Sequence, residues 1–171
     1  MPISASDVEI SILAILEKYL PVFTFFLGFF TSRFTMTKKE RKDYQNTLQE
    51  NANKYSKELD DTFSSFANAL QKYIQCSESS LNEFQNITIT GEAYFSAMKR
   101  LCNAILEGNI SKQAIEYDFC QRIKEFVEKN ISLYYETLTC VAEKIGLPYS
   151  GSLKRENYES VYLAYDKYCA K

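Results

Sequence analysis

The stretch ISILAILEKYLPVFTFFLGFFTS, from Ile10 to Ser32, holds only two charges in 23 residues, the adjacent Glu17 and Lys18. As an α-helix it would extend about 35 Å, against a bilayer hydrocarbon core of about 30 Å. Phe23, Phe25, Phe26, Phe29 and Phe30 would surround such a helix and leave it no polar face. The uncharged part, Tyr19 to Ser32, has 14 residues, which is short for a span by itself. Either the span takes in Glu17 and Lys18, or the segment is re-entrant or interfacial. The soluble alternative is a buried helix beside a charge run. A secretory signal fits poorly, because Asp7 and Glu9 stand where basic residues belong and no small-residue cleavage site follows.

Directly behind the run come Arg33, Lys38, Lys39, Arg41 and Lys42, with Glu40 the only acid among them. Basic residues stay on the cytoplasmic side of a membrane. The expected organisation is therefore an N-terminus outside, a transmembrane helix with the start of its basic collar in residues 1–36, and a cytoplasmic helical bundle in residues 37–171. The collar also suits anionic lipid head groups.

Composition narrows the chemistry. The 171 residues amount to one domain, and 20 basic against 22 acidic side chains leave a net charge of −2, so bulk electrostatics do not mark a nucleic-acid binder. Histidine is absent. Its absence excludes His-based general acid–base catalysis, Ser-His-Asp and Cys-His nucleophiles, and His metal ligands. Only five glycines and three prolines argue against strands and turns, and the scattered glycines form no phosphate loop. Five cysteines at 76, 102, 120, 140 and 169 include no CxxC pair. They read as small apolar filler in a reducing compartment. No metal, no cofactor and no enzymatic activity are expected. Asp60 and Asp61 read as a solvated helix face.

From Thr37 onward the apolar spacing is helical. A first helix over about Thr37 to Ile74 places Tyr44, Leu48, Tyr55, Leu59, Phe63, Phe66, Leu70 and Tyr73 on a stripe. So narrow a stripe suits a helix continuing out of the membrane and packing on copies of itself or on a bundle. CSESSLNEFQNITIT, Cys76 to Thr90, breaks the pattern and reads as a loop. A second helix over Glu92 to Glu107 carries Tyr94, Met98, Leu101 and Ile105, with Gly108 as its C′ residue. Ser111 caps a third helix with the stripe Ile115, Phe119, Ile123, Phe126, Leu133, Leu138, Val141 and Ile145, bent near Asn130. Gly146 and Pro148 stop it. A last helix from near Ser152 buries Tyr158, Val161, Tyr162 and Tyr165. The fold class is all-α, a four-helix arrangement.

Within the apolar run, Glu17 and Lys18 point about 100° apart on a helix and cannot share one narrow stripe. In a symmetric homo-oligomer Glu17 lines a central opening while Lys18 snorkels or pairs with a neighbour. Pro21 permits a kink, and Phe23, Phe26 and Phe30 form an apolar ring of the kind that gates by dewetting. A single-pass anchor in a locally thinned bilayer is an equal alternative.

In the last helix, Arg155, Asn157, Tyr158 and Tyr162 form the one polar motif that stands out. Arg155 with Asn157 and Tyr158 near a helix start suits an RNA phosphate or a partner carboxylate, and the bland reading is a surface arginine beside core tyrosines. A four-helix domain with Arg and Asn at this place resembles a divergent HEPN domain. With the N-terminal apolar helix, the whole chain resembles the membrane-spanning accessory proteins encoded beside type VI-B CRISPR effectors. HEPN ribonucleases share an Arg-x4–6-His motif; here Tyr162 lies seven positions after Arg155 and no histidine exists. The resemblance implies a homo-oligomeric pore in the bacterial inner membrane. It would depolarise that membrane in antiphage defence, in functional partnership with an RNA-guided, RNA-cleaving effector. The alternatives are a membrane-tethered HEPN-like RNA-binding or RNase module, and a non-catalytic anchored scaffold.

Overall fold

The computed structural model describes residues 24, 25, 28, 37–75 and 80–170. Among them the chain is all-helical, with no strand. It divides into two compact units, Met1–Tyr44 and Gln45–Lys171. The expected membrane residues Glu17, Lys18, Pro21, Phe23, Phe26 and Phe30, and Arg33 of the collar, lie outside the described residues. Among the described residues no helix is long and apolar enough to cross a membrane.

Helix α1, Lys38–Gln75, opens on a capping box. The Thr37 amide and hydroxyl donate to Glu40 Oε2 (2.7 and 2.9 Å), and the Glu40 amide donates back to Thr37 Oγ1 (3.2 Å). These bonds hold the Glu40 carboxyl below the ordinary carboxylate value. Thr37 is thus the cap, and Lys38 is the first helical residue. Lys38, Lys39, Arg41 and Lys42 are all exposed. From Lys38 to Glu50 only Leu48 is even partly covered, and burial begins at Ala52. Leu59, Phe66 and Ala69 then enter the core, while Phe63 stays 48% exposed.

Helix α2, Leu81–Leu106, corrects the expectation of a loop over 76–90. Asn and two Ile-Thr pairs are weak helix formers, but tertiary burial overrides propensity here. Phe84 and Ile87 are core residues. Thr88 and Thr90 satisfy their hydroxyls on the carbonyls of Phe84 and Asn86 (2.9 and 2.7 Å), and Ser80 with Glu83 supplies a second capping box. Gly108 ends the helix at φ 78°. The Gly108 amide donates to Ile105 O and the Asn109 amide to Ala104 O, the Schellman pattern anticipated at this glycine. Gly146 repeats it at φ 69° after the next helix.

Helix α3 covers residues 112–144 and begins, as expected, with Ser111 Oγ accepting from the Ala114 amide (3.2 Å). It is interrupted twice by π-turns, Ile115–Phe119 and Phe126–Asn130, where the Cys120 and Ile131 amides reach back five residues to Ile115 O and Phe126 O. An extra residue in a turn rotates everything after it by about 100°. The core stripe therefore steps from Phe126 to Ile131 and continues through Tyr134, Leu138 and Val141. Leu133, expected in the core, is 59% exposed for this reason, and Ile145 is only half-buried. The disturbance expected near Asn130 is a change of register.

Helix α4, residues 155–169, starts as a 3-10 turn at Arg155 (not near Ser152), becomes α-helical at Glu159 and ends in a π-turn, Tyr165–Cys169. Tyr158, Val161 and Ala164 are buried, whereas Tyr162 and Tyr165 are half-buried. Cys169 is bonded to Cys120 across 49 positions, which corrects the reading of all the cysteines as filler. Without a CxxC spacing, nothing in the sequence identifies this pair, because connectivity depends on which helices meet. Cys102 is buried and free; Cys140 is exposed and free.

Two measurements check this fold. Ile131→Ala is expected to cost about 2–4 kcal/mol in urea unfolding and Leu133→Ala less than about 0.5 kcal/mol, the reverse of an unbroken α-helical register. A dithiol reductant is expected to destabilise the protein by roughly 2–4 kcal/mol through the freed chain segment, and to have no further effect on Cys169→Ser.

Candidate functional site

One face of α2 presents Thr88, Glu92, Ser96 and Lys99 along two to three turns. Opposite them stand Tyr134, Tyr135 and Leu138 of α3, Tyr149 of the following loop, and Asn157 and Tyr158 of α4. Together these residues line a cleft of about 410 Å³. Its floor is the aromatic core: Phe95 lies edge-on to Tyr158 (5.8 Å between centroids) and Phe126 (4.7 Å), and meets Tyr134 at 4.5 Å.

Two of the chain's five glycines seat tyrosines of this cleft. A Cβ on Gly91 would stand 2.3 Å from Tyr134 Cε2, and one on Gly151 would stand 2.1 Å from the Tyr149 hydroxyl. Neither glycine has a positive φ; Gly91 requires the absence of a side chain because the Tyr134 ring is buried, whereas at Gly151 the far end of the half-buried Tyr149 can move aside. Tyr134 then donates its hydroxyl hydrogen to Thr88 O (3.2 Å), and the hydroxyls of Tyr135 and Tyr158 bond each other (3.0 Å).

Burial raises the pKa of Tyr158, Tyr134 and Tyr149 above the usual tyrosine value, with the Glu92 carboxylate adding to each. The Tyr135 hydroxyl pushes Tyr158 up further. Lys99 Nζ stands 5.9 Å from the centre of the Tyr158 ring. The cleft thus combines neutral hydroxyls and flat rings with an exposed carboxylate and a half-buried ammonium.

The four residues of the expected polar motif divide between two places. Asn157 and Tyr158 line the cleft. The Arg155 guanidinium instead lies over the Tyr162 ring at 4.4 Å and pairs with Asp166 at 3.9 Å, on a surface shared with Leu163. Sequence reasoning missed Glu92, Lys99, Tyr135 and Tyr149; the seven-residue spacing of Glu92 and Lys99 was the available signal, but it acquires a partner face only once α3 is in place.

A second hollow of about 290 Å³ lies between α1 and α3 beside Asp60, Arg122, Glu125 and Asn130. There Arg122 is paired with Asp60 at 2.7 Å, so Asp60 is an ion-pair partner, beyond the solvated face expected of it. Glu58 of α1 likewise pairs with Arg100 of α2. Among the described residues no group of three or more His, Cys, Asp or Glu side chains is placed to hold a metal ion. No protein-family model, curated protein or solved structure matches the chain.

Gly91→Ala is expected to cost about 1–3 kcal/mol in urea unfolding, because the Tyr134 ring is hemmed by Phe95 and Phe66 and cannot swing away. In a Tyr134→Leu background the same change should cost measurably less. The raised tyrosine values also give a pH dependence. A group whose folded pKa is raised contributes stability that is whole below its unfolded value and is lost above it. Stability should therefore fall as pH rises past about 10. Phenolate absorbance at 295 nm should show the buried tyrosines ionising only as the protein unfolds.

Proposed function

We propose that the chain is a non-enzymatic, membrane-anchored helical module that assembles with copies of itself. Its N-terminal segments form a pore that depolarises a bacterial inner membrane. In the manner of the type VI-B accessory proteins it resembles, it would act in antiphage defence alongside an RNA-guided, RNA-cleaving effector. The observation that carries this reading is the succession along the chain: a 23-residue apolar run, then a 38-residue helix that opens on four exposed cations, Lys38, Lys39, Arg41 and Lys42, and whose first third is almost wholly exposed. A helix of that length measures about 57 Å. Tyr44, Phe63 and Ile74 leave apolar surface along it, at 51%, 48% and 79% exposure. Apolar positions displayed in that way suit contact with further helices.

A HEPN-like nuclease reading has less in its favour. It asks Arg155 to act beside Asn157 and Tyr158, and Arg155 is engaged with Tyr162 and Asp166 instead.

For the sidedness, a second reading has its own observation. The basic collar favours a cytoplasmic bundle, whereas the Cys120–Cys169 disulfide favours an oxidising compartment. Cys140, exposed and free, discriminates between them. A membrane-impermeant maleimide should leave Cys140 unlabelled in intact spheroplasts and label it after lysis. Labelling before lysis would place the bundle outside.

The pore is tested by the mass of the detergent-solubilised protein and by flux. A ring of about six or more copies is expected, and Glu17→Ala or Phe26→Ala should change dye-reported depolarisation without changing membrane insertion. A monomer or dimer, or unchanged flux in both variants, would overturn it.

A further inference from the structure

We propose that the cleft between α2, α3 and the start of α4 binds a guanine mononucleotide, with Glu92 reading the base and Lys99 holding the phosphate. The inference concerns the bundle alone and stands whether or not the N-terminal segment forms a pore.

Glu92 and Lys99 sit on one face of α2, seven residues or about 10.5 Å of helix rise apart. One offers two carboxylate acceptors, the other an ammonium with three donors. The wall between them is built of tyrosines. In the Tyr135–Tyr158 pair one hydroxyl hydrogen is used between the rings, which leaves the other free to donate outward and lone pairs free to accept. The half-buried Ser96 lies between Glu92 and Lys99 on the same helix face.

A single occupant that pairs with both ends carries donors for the Glu92 carboxylate, an anion roughly two helical turns away for Lys99, and hydroxyls between. Guanine presents N1–H and N2–H side by side, the arrangement a carboxylate accepts in parallel. Adenine offers its amino group between ring-nitrogen acceptors and cannot make that pair. The ribose hydroxyls then face the tyrosine pair and Ser96, the base lies against the half-buried Tyr149, and the phosphate reaches Lys99. A volume of about 410 Å³ is within the range of small-ligand sites. The packing of Tyr134 between Gly91, Phe95 and Phe66 holds that wall in place before any ligand arrives.

The test is calorimetric titration of the full-length, detergent-solubilised protein with GMP, AMP, guanosine and inorganic phosphate. GMP is expected to saturate one site per chain and to bind about tenfold or more tighter than AMP. Glu92→Gln should remove most of that preference. Lys99→Met should weaken GMP to near the affinity of guanosine and leave guanosine itself within about twofold, since only the phosphate loses its partner. Glu92 is exposed and Lys99 half-buried, so both variants should retain the helical circular dichroism of the parent. Absence of saturable GMP binding, equal affinity for GMP and AMP, or GMP binding indifferent to both substitutions would overturn the proposal. So would binding of a guanosine-ended oligoribonucleotide in the absence of GMP binding, which would make RNA the occupant.

Discussion

The ring of Tyr134 lies against the bare Cα of Gly91, and much of the bundle depends on that contact. A Cβ at Gly91 would come within 2.3 Å of the ring, so the Tyr134 ring occupies the space that a side chain at position 91 would need. Tyr134 faces α2 at all because the π-turn Phe126–Asn130 adds a residue to its turn and rotates the rest of α3. From this position Tyr134 touches Phe95 and Phe66, bringing α1 into the same aromatic cluster. Its hydroxyl also closes on a backbone carbonyl of α2.

The cleft follows from that cluster. Rings pack edge to face below, and their hydroxyls, which need partners when buried, collect above. The Tyr135–Tyr158 bond and the Tyr134–Thr88 bond satisfy them without water. Burial, with the nearby Glu92 carboxylate, raises the pKa of Tyr134 and Tyr158 above the usual tyrosine value. The polar wall is thus a by-product of how an aromatic core disposes of its oxygen atoms, and Glu92 and Lys99 set one charge of each sign beside it. At the far end of the chain, the third π-turn brings Cys169 onto α3, where the bond to Cys120 holds the last helix down. The Tyr165 hydroxyl reinforces it by donating to Glu128 (2.9 Å).

Helix boundaries set by local chemistry were legible in the sequence. Ser111 as a cap and Gly108 and Gly146 as terminators each act through atoms within a few residues, so reading them needs no knowledge of the rest of the chain. The loop expected over 76–90 shows the limit. Its Asn and Ile-Thr residues disfavour a helix by fractions of a kcal/mol each, while burying Phe84 and Ile87 outweighs that deficit. The core stripe of α3 was legible at Ile115, Phe119, Ile123, Phe126, Leu138 and Val141 and wrong at Leu133, just past the second π-turn, since periodicity assumes a constant turn. For the cleft, Asn157 and Tyr158 were singled out, but in company with Arg155 and Tyr162, which belong to another surface.

By itself the sequence determined the all-helical class, the caps and stops, the missing histidine chemistry, and the order of apolar run, cationic collar and amphipathic helices. Those properties reside in composition, in short-range hydrogen bonding and in the helical repeat. Only the tertiary structure decided which turn of α3 takes the extra residue, which cysteines meet, and which tyrosines share a wall with Glu92 and Lys99. Each of those depends on two segments far apart in the chain arriving within a few ångströms of one another. A one-residue shift in register, invisible to any local pattern, changes which side chains meet.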